Sequence, residues 1–158
     1  MKRLTFILTF LMVIMLTGTA MAAKPVIKAD RTYFDISTES YVLSGNVYVE
    51  VGNRIIKANQ ARVSIASLEV WASGGVSLTQ DDIYFTGDNV YVVGLQKRTQ
   101  ISGGVNFTRK GLSLSADSVD FNWDTKVAVF RGNVTSDNRG SITRSDQLSY
   151  DIANNTIL

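Results

Sequence analysis

The sequence predicts an all-β protein built from stacked repeats, and three observations carry the prediction. Apolar and polar residues alternate along 116–143. Val119, Phe121 and Trp123 are separated by Asp120 and Asn122, and Ala128, Phe130, Gly132 and Val134 form a second run. A period of two sends one set of side chains to each face of a strand. Two independent markers also recur every 29 residues. A small-plus-polar pair stands at Ala29-Asp30, Ala58-Asn59, Gly87-Asp88, Ala116-Asp117 and Ser145-Asp146, and a glycine followed two residues later by valine stands at Gly45, Gly74, Gly103 and Gly132. A period held by two markers is the signature of a repeat architecture. Finally, no stretch beyond the first residues has helical periodicity, and the single proline is Pro25.

The chain opens with basic Met1-Lys2-Arg3 and an apolar run from Leu4 to Leu16, then Ala20-Met21-Ala22. A basic start, an apolar stretch too short to span a bilayer and a small-x-small cut site predict a secretory signal peptide over 1–22, cleaved after Ala22. One domain over 23–158 remains. No cysteine follows the cut, so a lipid-anchored precursor is excluded. Removing Lys2 and Arg3 from the 16 basic residues leaves 14 against 14 acidic ones. That balance offers no electrostatic footprint for nucleic acid. With neither cysteine nor histidine, disulfides, a structural zinc site and the commonest catalytic bases and nucleophiles are absent. No cofactor is implied.

The units read as short strands in order. In the first, Phe34 and Ile36 share a face of one strand, Ser37–Ser40 is a turn, and Tyr41, Leu43, Gly45, Val47 and Val49 share a face of the next. Gly52-Asn53 marks a hairpin turn, and Arg54–Lys57 reads as a short third strand. The second unit gives Val63 and Ile65, then Val70, Ala72, Gly74, Val76 and Leu78, then Ile83 and Phe85. The third gives Val90 and Val92, then Ile101, Gly103, Val105 and Phe107. The fifth begins with Leu148, Tyr150 and Ile152, and its glycine strand falls beyond Leu158.

The repeated glycine marks a place without a side chain, where a strand bends or sheets approach closely. The repeated Asp/Asn is read as bonding local backbone amides at a turn or bulge. A metal ladder on Asp30, Asp88, Asp117 and Asp146 is the sharper alternative, and the absence of a glycine-rich calcium-binding nonapeptide argues against it. No unit is singled out by an acid pair, so nothing points to a catalytic centre. The period alone fits a parallel β-helix as well as an antiparallel jelly roll.

The coupled spacing of Ala29-Asp30, Leu43-Ser44-Gly45-Asn46-Val47-Tyr48-Val49 and Ile55-Ile56-Lys57-Ala58-Asn59 resembles the OstA-like family of periplasmic lipopolysaccharide transport proteins. The resemblance covers 26–158. It departs from the family pattern at Gly75 and Gly104, which replace asparagine, and at Asn59, which replaces aspartate. It implies an open, twisted β-jelly roll with an apolar groove, along which lipid A acyl chains pass between the inner and outer membranes.

The residues that the resemblance assigns to lipid are those of the inward stripe. They are Phe34, Ile36, Val47, Val49, Val63 and Ile65, then Val76, Leu78, Val90 and Val92, then Val105, Phe107, Val119, Phe121, Phe130 and Val134. Read without the resemblance, the same stripe favours a closed, packed core, as in a structural or adhesive β-solenoid with no lipid ligand. The two readings differ in packing, not in residues.

The ends are expected to be unpaired strand edges, with Val26, Ile27 and Lys28 at one and Leu148, Tyr150 and Ile152 at the other. Exposed edges invite strands from another chain. Lys24, Lys28 and Arg31 face Asp146 and Asp151 in sign, which favours head-to-tail contacts between copies or with other OstA-like domains. Lys97-Arg98 and Arg109-Lys110 are read as solvated turn charges rather than a head-group site.

Overall fold

The computed structural model describes residues 25–158; the signal-peptide reading of 1–22 lies outside them. The chain forms β1 (Val26–Lys28), β2 (Arg31–Asp35), β3 (Ser40–Val51), β4 (Arg54–Ser64), β5 (Glu69–Gln80), β6 (Ile83–Val93), β7 (Arg98–Arg109), β8 (Leu112–Asn122), β9 (Val127–Asn138), β10 (Ser141–Asp151) and β11 (Thr156–Ile157). A 3-10 turn, Gly94–Gln96, sits between β6 and β7. Strands from β3 to β11 pair in chain order, and β1 and β2 share the outer edge of β3. Every pairing is antiparallel, so the parallel β-helix is ruled out and the sheet is an open jelly roll.

The 29-residue period now has a physical meaning. A twelve-residue strand such as β3 carries the glycine, a two-residue turn follows, an eleven-residue strand such as β4 carries the Asp/Asn, and a four-residue turn completes the unit. The separate short strands read from the sequence are therefore fused. Arg54–Lys57 and the strand after it form one element, and the Asp/Asn marker stands in mid-strand. Each four-residue turn closes with a residue in the left-handed region, as at Glu39, Leu68, Lys97 and Lys126.

The markers place a kink across the sheet. Gly45 and Asn46 together face Asn59, because Ser44 pairs with Gln60 and Val47 with Ala58. Equivalent shifts recur in each later pair of long strands. The extra residue on each glycine strand bends it. Gly132 has φ 77° and Asn133 φ 49°, a left-handed pair that glycine and asparagine adopt most readily. Aligned bends fold the sheet into two facing leaves. One ends at the four-residue turns, the other at the two-residue turns.

The core lies between the leaves. Phe85 and Phe107, from the leaf of the two-residue turns, meet Phe121, Phe130 and Tyr150 from the other. Ring centroids stand 5.9 Å apart for Phe85–Phe121, 5.7 Å for Phe107–Phe130 and 5.5 Å for Phe107–Tyr150. All five rings are almost fully buried. Burying each one stabilises the fold by roughly 1.5–3 kcal/mol.

Candidate functional site: an apolar groove

Inward rows cross the sheet perpendicular to the strands. One runs Phe34, Tyr41, Val63, Val70, Val92, Thr99, Phe121, Ala128, Tyr150; the facing leaf carries Ile27, Val49, Ile56, Leu78, Phe85, Phe107, Leu114. From β6 onward these rows close on the aromatic cluster. Between β3 and β6, where Val63, Val70, Ile56 and Leu78 stand in the rows, the leaves enclose an apolar groove of about 490 Å³. Its walls include Val49, Val51, Ile56 and Leu78 from one leaf and Val63, Ile65, Val70 and Val92 from the other. At the outer end of the first row, beyond the groove lining, Phe34 is 50% exposed and packs edge-on against Tyr41 at 5.1 Å.

The structure divides the sequence-assigned stripe. Val49, Val63, Ile65, Leu78 and Val92 line the groove. Ile65 lies beyond the end of β4 and is 43% exposed because it stands at the rim. Phe34 lies on the inward row but does not line the groove. Val47 and Val76, on β3 and β5, are buried without lining the groove, and Val90, Val105, Phe107, Val119, Phe121, Phe130 and Val134 are packed into the closed part. Ile36 is a correction: it falls in the turn after β2, is 83% exposed and faces no groove. Ile65, one period on, also lies past its strand end but meets the groove rim; Ile36 differs in following β2, which pairs only with β3.

Several groove residues were absent from that stripe. Ile56 and Val70 lie on alternating runs and were legible. Arg54 was not, since it is a charged residue on an inward row. Its guanidinium lies 4.4 Å from the ring centroid of Trp123 and donates a hydrogen bond to Gln80 Oε1 at 3.0 Å. Burial lowers the Arg54 pKa, against the opposing pull of Asp81. Because Arg54 follows a two-residue turn and Trp123 opens a four-residue turn, this stack spans the seam between the leaf tips. Arg109 spans it again, bonding Asp82 at 2.8 Å and the carbonyl of Ile152. Lys97 at the groove rim is paired with Asp124 at 2.8 Å.

A second concavity, about 770 Å³, lies on the outer face of the four-residue-turn leaf. Ser44, Gln60, Ser73, Asn89, Ser102 and Ser118 line it beside a stacked Trp71–Tyr91 pair. Its mixed polarity makes it unsuited to acyl chains. The groove between the leaves is lined mainly by aliphatic side chains and suits them better.

The edges also differ from expectation. Val26, Ile27 and Lys28 form β1, paired only to β3. The side chains of Leu148, Tyr150 and Ile152, however, are buried in the core, and β11 pairs with Tyr150 and Asp151. Among the described residues the uncovered edge of β10 is Ser141–Gln147 instead. Asp151 is also engaged, accepting from the Asn154 side chain at 2.7 Å.

The markers resolve into one contact. Asp30, Asn59, Asp88 and Asp117 each fill the space where a Cβ would stand on Gly45, Gly74, Gly103 and Gly132 of the next strand. Where asparagine follows the glycine it donates to the carboxylate, from Asn46 to Asp30 and from Asn133 to Asp117, both at 2.9 Å. The carboxylates thus meet a neighbouring strand rather than their own local amides, correcting the turn-like role read from sequence. At Asp30 the backbone amide also donates to the Gly45 carbonyl at 2.8 Å.

Comparisons with known proteins agree with this architecture. The family model described as "LptA/(LptD N-terminal domain) LPS transport protein" matches residues 56–156. The chain is 32% identical over 105 residues to the LPS-assembly protein LptD of Psychrobacter cryohalolentis. That alignment takes in 62% of this chain and 10% of the relative, so the chain corresponds to a small part of it. Among solved structures it is similar to LptH of Pseudomonas aeruginosa, the LptA homologous periplasmic component of a lipopolysaccharide transport device. The TM-score is 0.59 at 15% identity, over 63% of this chain and 76% of that one, a likeness of fold. The family is one of transport proteins rather than enzymes, and by its fold, its repeat and the extent of the match this chain belongs to the LptA/LptD N-terminal domain family of LPS transport proteins.

Proposed function

We propose that this protein is a periplasmic carrier segment for lipopolysaccharide, holding lipid A acyl chains between its leaves on their way from the inner to the outer membrane. The observation that carries the reading is the 490 Å³ groove, apolar on both leaves. That size lies in the range of ligand sites. Each methylene buried there gains about 0.8 kcal/mol. The groove lies where the rows carry Val63, Val70, Ile56 and Leu78, while the packed half carries the rings of Phe85, Phe107, Phe121 and Phe130. On this reading the sheet edges join the protein end to end with OstA-like domains, copies of itself included. A structural solenoid without a ligand accounts for the aromatic half but not for the groove.

A photo-crosslinking residue at Leu78 or Val92, with purified lipopolysaccharide, tests this. Adducts are expected at both positions and not at Asn106 on the outer face. A folded protein that yields no groove adduct sinks the carrier reading.

A further inference from the structure

One lining residue of the groove is out of place in the repeat. Strands β4, β6 and β8 each follow a two-residue turn, and they open with Arg54, Ile83 and Leu112, one 29-residue period apart. Ile83 and Leu112 are buried and apolar, whereas Ser141, which opens β10, is exposed. The unit that builds the groove therefore sets a guanidinium in an inward slot that the next two units fill with aliphatic side chains.

Arg54 is half-buried, and its donors are only partly used. Nε donates to Oε1 of the buried Gln80 at 3.0 Å, and Trp123 covers one face of the guanidinium at 4.4 Å. Stacking leaves the in-plane N–H groups of an arginine free for other partners. Among the described residues Nη1 and Nη2 make no hydrogen bond, and Arg54 forms no ion pair. Both nitrogens are accessible, since no buried side-chain nitrogen or oxygen lacks a partner. Arg109, the other arginine of the seam, is by contrast engaged by Asp82, Tyr150 and the Ile152 carbonyl.

The charged groups around Arg54 do not neutralise it. Asp81 pulls on it without forming an ion pair, and its carboxylate accepts from Asn53 at 2.9 Å. Lys97 is paired with Asp124, and Glu69 accepts from the hydroxyls of Tyr91 and Ser67. A half-buried cation without its own acid is costly until an anion is brought to it.

We propose that Arg54 is the anion-recognising residue of the groove, taking the phosphate of an amphiphile whose acyl chain lies against Ile56, Val70 and Leu78. The claim rests on the carrier reading above and adds the chemistry of the head group. One edge of a guanidinium presents two parallel N–H donors that match two phosphate oxygens. A phosphate monoester carries about −1.5 to −2 charges at neutral pH, more than a carboxylate, so it compensates the buried cation better. The groove then selects acylated phosphates over uncharged amphiphiles of the same chain length.

The test is titration calorimetry of the intact protein with dodecyl phosphate, dodecanoate and uncharged dodecyl maltoside, each below its micelle concentration. Dodecyl phosphate is expected to bind at least about tenfold tighter than the maltoside, one decade in Kd. Arg54→Met should weaken dodecyl phosphate about tenfold and leave the maltoside unchanged. Arg54→Ile should do the same, in a slot where the fold already accepts isoleucine at 83. Arg62→Met, on the outer face, should leave the preference intact. Circular dichroism checks that each variant is folded. Equal binding of phosphate and maltoside by the unaltered protein overturns anion recognition and leaves the carrier reading standing. A preference that survives Arg54→Ile, or falls equally in Arg62→Met, overturns the assignment to Arg54. Tighter binding of dodecanoate overturns the choice of phosphate. Binding of none of the three overturns this inference and the carrier reading together.

Discussion

The carboxylate of Asp117 accepts a hydrogen bond from the side-chain amide of Asn133 at 2.9 Å, across the spot where Gly132 lacks a side chain. Two residues sixteen positions apart thus lock adjacent strands at the fold line. The same lock at Asp30 and Asn46 holds the opposite end of the sheet.

Gly132→Ala meets two penalties, the left-handed backbone at φ 77° and the collision with Asp117. A loss of about 2–4 kcal/mol is expected from urea denaturation, since strained backbone costs of order 1–3 kcal/mol before the clash is added. Gly75→Ala, at φ 67° with open space around it, should lose only about 1 kcal/mol. Adding Asp117→Ala should recover part of the Gly132→Ala loss. Equal losses at the two glycines would show that the Asp117 side chain has no steric role.

The closed half of the interior should behave as a packed core. Phe107, fully buried against Phe85 at 4.8 Å, is expected to cost about 3–5 kcal/mol on substitution by alanine. Thermal unfolding measures this. A loss below about 1 kcal/mol would mean that the aromatic cluster is loosely packed.

Filling the groove should block a ligand without breaking the fold. Val92 is half-buried on the groove wall, so Val92→Phe has room to enlarge into it. Uptake of a fluorescent fatty-acid analogue should fall about tenfold. The unfolding midpoint should shift by only a few degrees, the response to about 1 kcal/mol in a domain of this size. Unchanged uptake would place the ligand elsewhere.

The Arg54–Trp123 stack across the seam should be measurable by fluorescence. In a Trp71→Phe background Trp123 is the sole indole of the described residues. Arg54→Met should shift its emission to the red and cost about 0.5–2 kcal/mol, the range of cation–π contacts. An unmoved emission would mean that the arginine does not shield the ring.

Acid should destabilise the protein through named carboxylates. Glu69 is held below its ordinary value of 4.5 by hydrogen bonds from the Tyr91 hydroxyl, first, and from Ser67. Asp35 is held below 3.8, chiefly by the Ser37 side chain. A depressed folded pKa contributes stability that is complete above the unfolded value and lost as pH falls through the folded one. Stability should therefore decline below about pH 4.5. In Tyr91→Phe the Glu69 titration, followed by NMR, should move up toward its ordinary value. A titration that stays put would remove Tyr91 as the cause.

Much of this was legible in the sequence because it is local. Alternation assigned Val63, Leu78, Val92 and Phe121 to inward faces, and the 29-residue spacing marked the glycines at which the strands bend, though not whether they mark a bend or a close approach. The family resemblance carried the step from repeat to jelly roll, which the period alone left open. What the tertiary structure decided depends on pairs distant in the chain. That Asp117 reaches forward to Gly132, that Ile36 leaves the inner face while Ile65 stays at the rim, and that Arg54 closes the seam on Trp123 are all consequences of how the leaves face each other. The division of one apolar stripe into a packed half and an open groove has the same origin. Alternation records only which way a side chain points, and the space it meets is set by the size of the residues on the opposite leaf.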